Sequence, residues 1–136
     1  MPDVVSNAGT LSRLYRQRAS AISAAVRRGT RRVLLTVDTH ASKLLSGSGD
    51  ANAGSYPVPI RAGFLRRAQG VRQLNDTSGL VFNRARYARA VHTTGFRAYG
   101  NKRAPFYPGR PWLEDAVKKA DPLAIMHREV REAVFE

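Results

Sequence analysis

The chain has 136 residues, 43% of them hydrophobic, no cysteine and a net charge of +13. That length and apolar content fit one folded domain with its own core, and the missing thiols exclude disulfides, cysteine nucleophiles and cysteine-bearing zinc sites. The charge is uneven: residues 10–46 are net +7, residues 60–110 net +10 and residues 111–136 net −2. Arginine far outnumbers lysine, and its planar fork suits bidentate contact with phosphate or carboxylate. A basic body with a mildly acidic end can face nucleic acid, an acidic partner, or copies of itself head to tail. The opening stretch Met1-Pro2-Asp3-Val4-Val5 lacks the basic and apolar regions of a signal peptide. No apolar run reaches bilayer-spanning length. The expectation is a protein made in a cytoplasm, with no membrane partner.

In chain order, residues 1–9 read as a tail. A long helix is expected from about 10 to 45. Leu11, Leu14, Tyr15, Ile22, Val26, Val33, Leu34, Val37, Ala41, Leu44 and Leu45 recur at helical spacings and form one apolar stripe. Thr10 is the expected cap, and Gly29-Thr30 the expected weak point for a kink. Such a rod is longer than a globule of this size needs, so part of it is expected to project or pack on another subunit. Residues 46–59, rich in Gly, Ser and Asn, read as a flexible loop, followed by a short helix over 60–69.

The period then changes. Residues 71–74 and 80–83 flank Asn75-Asp76-Thr77-Ser78-Gly79, which predicts a β-hairpin with a polar turn. Tyr87 to Thr93 predicts one or two helical turns. Residues 94–110, with Phe96, Tyr99, Phe106 and Tyr107 among basic residues, read as a long loop or hairpin arm. Pro111 is expected in the first turn of a helix to about Ala120. Asp121-Pro122 is expected to start a last helix with the stripe Leu123, Met126, Val130 and Val134. These elements amount to a single α+β domain.

Chemistry-bearing constellations are not evident. His40, His92 and His127 lie far apart, without the spacing of a metal pair. There is no phosphate-binding glycine loop, nucleophile elbow or dinucleotide fingerprint. The expectation is a non-enzymatic protein without cofactor or metal. The contact candidates are Arg84, Arg86, Arg89, Arg97, Lys102, Arg103 and Arg110, set among aromatics. They can neutralise phosphates while Tyr99 or Phe106 stacks on bases. The same composition equally suits a protein interface.

Three segments carry a resemblance to a phage family, the gene-product-ten-like tail components of long-tailed phages. Residues 59–68, Pro-Ile-Arg-Ala-Gly-Phe-Leu-Arg-Arg-Ala, are similar to its Pro-Val-Asp-Thr-Gly-x-Leu-Arg-x-Ser segment. Residues 87–95, Tyr-Ala-Arg-Ala-Val-His-Thr-Thr-Gly, resemble its Tyr-Ala-x-x-Val-Glu-x-Gly segment. Residues 110–117, Arg-Pro-Trp-Leu-Glu-Asp-Ala-Val, resemble its Arg-Pro-Phe-Leu-x-x-Ala-Leu segment. Arg61 and Ala62 replace the usual Asp and Thr, His92 stands where Glu is usual, and Gly95 comes one residue late. The matching structural positions are Gly63, Leu65, Tyr87, Ala88, Gly95, Pro111, Trp112 and Leu113. Tyr87, Val91, Trp112 and Leu113 are expected to pack sheet and helices together.

The resemblance implies an α+β fold in which a long N-terminal helix packs on a small antiparallel sheet, with short C-terminal helices. It also implies a structural role in the virion, completing or joining the tail at the head–tail neck without catalysis. The implied assembly is a homo-oligomeric ring, hexameric in the family, touching connector or stopper proteins and tail tube or terminator proteins. Genomic DNA in the lumen is a further, nonspecific contact. The alternative from charge alone is a basic nucleic-acid-binding protein without catalytic activity.

Overall fold

A computed structural model describes residues 4–46, 64–97 and 106–135. The architecture is α+β, as expected. Helix α1 spans Val4–Leu44, 41 residues, or roughly 60 Å at the usual rise. It starts ahead of Thr10, so Thr10 is an interior residue and not a cap. Residues 4–9, expected as tail, are helical.

Nor does α1 break at Gly29-Thr30. Gly29 is where helix α4 (Pro122–Phe135) comes closest: a Cβ there would lie 2.5 Å from Met126 Sδ. A mid-helix glycine costs about 1 kcal/mol relative to alanine, and here it is retained at a close helix–helix approach. Thr30 Oγ1 lies 2.9 Å from Val26 O and 2.7 Å from Asp76 O. Its single proton serves one carbonyl at a time, joining the helix midpoint to the hairpin turn. At the C-terminus of α1, Leu45 N donates to Ala41 O and Ser46 N to Lys43 O, both at 3.1 Å.

After a four-residue helix α2 (Phe64–Arg67), strands β1 (Gln69–Gln73) and β2 (Gly79–Asn83) form the expected antiparallel hairpin, with Val71 opposite Val81. Asn75 Oδ1 accepts from Thr77 N at 2.9 Å, the short local bond that makes asparagine a turn residue. Gly79 lies under Leu34 of α1, where a Cβ would collide with both Leu34 methyl groups. The alternation of the strands therefore puts Val71, Gln73 and Val81 on the side of Gly79, towards α1, and Arg72 and Leu80 on the other.

Asn83 ends the hairpin by satisfying the backbone on both sides. Its Nδ2 donates to Leu65 O at 2.6 Å and its Oδ1 accepts from Ala85 N at 3.0 Å. A helical turn follows and widens to π geometry over Ala90–Thr94, the element expected between Tyr87 and Thr93. Gly95 closes it at φ 74°, where a Cβ would be strained. Strands β3 (Phe96–Arg97) and β4 (Phe106–Tyr107) pair antiparallel. They form the base of the region expected as a long loop or arm, whose residues 98–105 lie outside the described ones, as do the loop 47–59 and Gly63. Arg110 N donates to Val91 O at 2.8 Å, pinning the returning chain across the π turn. Gly109 makes that crossing possible, since a Cβ there would lie 2.5 Å from Thr93 O.

Helix α3 (Trp112–Ala120) begins one residue after Pro111, with Glu114 and Asp115 in its first turn and Lys118 and Lys119 in its last, each favourable to the helix dipole. Asp121 bridges to α4 in a left-handed conformation (φ 48°), and its Oδ1 accepts from Ala124 N at 3.4 Å. The core gathers Val37, Ala41, Leu44 and Leu45 from the end of α1. Leu65, Ala85, Ala88, Val91, Trp112, Ala116 and Ala120 complete it. Trp112 is fully buried, with Nε1 donating to Gln69 Oε1 at 3.3 Å. Val91 and Trp112 thus pack as expected, and Leu113 lies against the core cluster. Tyr87 does not: it is 45% exposed, because the buried face of its helical turn is supplied by Ala88 and Val91.

Candidate interaction surfaces

The two halves of α1 have different surroundings. From Ala25 onward its apolar stripe is covered. From Asn7 to Ala24 every residue is exposed, an arm of 18 residues and roughly 27 Å. Its stripe continues the buried one: Leu11, Tyr15 and Ile22 precede Ala25, Gly29 and Val33 at alternating helical spacings of three, four and seven. Leu11 is 52%, Leu14 50% and Tyr15 72% exposed. Covering these side chains and Ile22 is worth about 4 kcal/mol in all.

The arm is also basic. From Val4 to Val37 α1 has seven arginines and no acid. At about 100° per residue, Arg13, Arg16, Arg27 and Arg31 fall together on the side opposite Leu11, Tyr15 and Ile22. Arg27 Nε is 3.7 Å from Asp76 Oδ1, with both side chains about two-thirds exposed, so that pair contributes little. An open groove beside the ridge is lined by Arg28, Arg31, Arg32, Leu35, Thr36 and Thr39.

Where α1 enters the body, Glu129 of α4 is buried between two arginines. Arg28 Nε is 3.8 Å from its Oε2, and Arg32 Nη1 closes on its Oε1. The second contact is one of charge and proximity rather than an aligned hydrogen bond, because Oε1 has no hydrogen-bond partner. Both arginine side chains remain more than half exposed, so the clamp anchors α4 to α1 from the solvent side.

The sequence-predicted contact residues separate. Arg84, Arg86 and Arg89 are exposed and follow one another across the connection from β2 to the π turn. Arg84 lies over the Phe82 ring at 5.3 Å and Arg97 over the Phe106 ring at 5.5 Å, which orients their guanidinium groups by cation–π attraction. Lys102, Arg103 and Tyr99 lie outside the described residues. Arg110 is only 3% exposed. It is a buried residue of the crossing over Val91 and not a surface contact, because its backbone is drawn into the core next to Trp112.

One surface was not anticipated. On the solvent side of the hairpin, Arg72 stands opposite Leu80, and Leu74 follows at the turn. Leu74 and Leu80 are both about half exposed. The alternation Gly70-Arg72-Leu74 against Val71-Gln73 was the available signal.

The histidines are not brought together. His40 is half-buried on α1 and His127 exposed on α4. His92 stands edge-on to Trp112 at 4.9 Å, with Nδ1 2.8 Å from Thr93 Oγ1. Its hydrogen-bond partner is thus a threonine and not a carboxylate. Among the described residues no three His, Asp or Glu side chains are grouped as metal ligands, and no helix is long and apolar enough to cross a membrane. In comparisons with known proteins, no family model, curated protein or solved structure matches this chain.

Proposed function

We propose that this chain is a structural protein of a tailed-phage virion, one that completes or joins the tail at the head–tail neck as a homo-oligomeric ring. The observation that carries the reading is the arm. A helix exposed at every residue from Asn7 to Ala24 is marginal in water, and an arm that keeps an apolar stripe along its length fits a component that finishes folding in an assembly. The three resembling segments add support, since their residues occupy joints of the fold: Leu65, Ala88 and Trp112 are all buried. The role is structural, with no reaction performed, no cofactor and no metal. The partners are other copies of the chain, connector or stopper proteins, and tail tube or terminator proteins. The site of action is the virion neck, reached from the host cytoplasm during assembly.

Exposed Arg84, Arg86 and Arg89 favour a second reading as a stand-alone nucleic-acid-binding protein. Light scattering on purified protein, alone and with purified tails, separates the two. A closed oligomer, or a monomer that becomes one on tails, is expected for the neck protein. A monomer under both conditions that binds DNA tightly and sequence-selectively at physiological salt would replace that reading with the second.

A further inference from the structure

We infer that the arm's apolar face, Leu11, Leu14, Tyr15 and Ile22, is covered by the α3–α4 face of a second copy of this chain, around Leu123 and Phe135. This rests on the ring reading above and assigns its subunit contact.

Three observations converge on that occupant. The first is continuity. The stripe that is bare on the arm is the one that α4 covers further along the same helix, at Gly29 against Met126. What the stripe accepts in its own chain is thus a helix of the α4 kind. Because α1 runs unbroken through Gly29, the arm cannot fold back onto its own α4, and among the described residues nothing else of the chain covers it, so the α4-like cover is assigned to another molecule.

The second is charge. The arm carries Arg13, Arg16 and Arg18 and no acid between Asn7 and Ala24. A second arm would set like charges against it. So would the middle of the molecule, where described residues 64–97 hold seven arginines and one aspartate. Described residues 111–135 hold four basic and five acidic residues. With Glu129 already held by Arg28 and Arg32, that end is close to neutral, whereas the arm and residues 64–97 are strongly basic.

The third is apolar area. The α3–α4 end exposes Leu123 at 78% and Phe135 at 80%, with Val117 at 44%. Leu123 and Phe135 are the two most exposed of the molecule's large hydrophobic side chains among the described residues. One copy therefore presents both halves of a contact that it cannot make with itself. Such a contact is heterologous: each subunit gives an arm and receives one, which closes a ring or propagates a filament.

The natural chain has no cysteine, so the test needs no background removal. Tyr15→Cys, Leu123→Cys, Phe135→Cys and Arg86→Cys are made singly, all at exposed positions. Each variant is checked for an unchanged thermal midpoint, and its light-scattering mass is recorded. Mild oxidation of mixed pairs is read on non-reducing gels. The Tyr15→Cys variant should cross-link to the Leu123→Cys or the Phe135→Cys variant several-fold more than to itself or to the Arg86→Cys variant. Self-linking of the Tyr15→Cys variant as the dominant product would overturn the inference in favour of arm–arm pairing. An oligomer by light scattering with no cross-link between Tyr15 and α4 would also overturn it, while leaving the ring reading intact. A monomer at all concentrations, with and without tails, would remove the ring reading and this inference with it.

Discussion

The arm and the second half of α1 are one helix with one apolar period, yet they have opposite surroundings. Past Ala25 the stripe meets α4, α3 and the hairpin, and Val37, Ala41 and Leu44 end up in the core. Before Ala25 the same kind of stripe, on a similar density of arginine, is left exposed by the described residues. Amphipathic spacing thus decides which side of a helix is to be covered, and leaves open what covers it. Within one chain the cover is supplied by elements that return along the helix. Here the described elements that follow α1 return along its second half and leave the first half exposed.

Substitutions can break this contrast or sharpen it. The largest effect is expected at Trp112, which is fully buried and bonded to Gln69. Trp112→Ala should cost about 3–5 kcal/mol in urea unfolding and expose α3. Next comes the clamp on Glu129. Replacing both Arg28 and Arg32 with alanine leaves a buried carboxylate unpaired and should cost about 3 kcal/mol. Glu129→Gln leaves only two half-exposed arginines that water can serve, and should cost clearly less. Equal losses would show that the charge of Glu129 is not what needs partners.

Gly109→Ala would drive a Cβ against Thr93 backbone, which cannot swing aside as a side chain does. A loss of about 2 kcal/mol is expected, seen as a lower thermal midpoint. Thr30→Val keeps shape and removes the hydroxyl shared with Asp76 O. About 1 kcal/mol is expected, with faster amide exchange at the hairpin turn. The smallest effect on the isolated chain belongs to the arm. Leu11→Ser with Tyr15→Ser should change subunit stability by no more than about 0.5 kcal/mol, while abolishing the oligomer in light scattering. A large loss of subunit stability would mean that the arm packs within its own chain after all.

Much of the fold was legible from periodicity. The 3.6-residue stripe of α1, the switch to alternation around Asn75-Asp76-Thr77-Ser78-Gly79, and the Asp121-Pro122 start of the last helix all stand where spacing put them. Three errors have physical causes. Gly29 looked like a kink because propensity is local, whereas its use is to let Met126 approach. Tyr87 looked like core because it is aromatic, whereas neighbouring Ala88 and Val91 take the buried side. Arg110 looked like a contact residue because composition counts charges without placing them, and a two-residue crossing behind Gly109 drew it inside. The exposed cluster Arg84, Arg86 and Arg89 was readable as a patch. If it meets DNA nonspecifically, replacing all three with alanine should lower the salt dependence of binding by up to about three phosphate contacts.

On the proposed ring reading, the arm is a docking element that is held only when subunits meet. Amide hydrogen exchange across α1, followed from dilute monomer to assembled oligomer, measures this directly. Residues 7–24 should exchange quickly when dilute and become strongly protected on assembly, while residues 30–44 are protected in both. Strong protection of 7–24 in the dilute monomer, or no gain in protection when subunits associate, would contradict it.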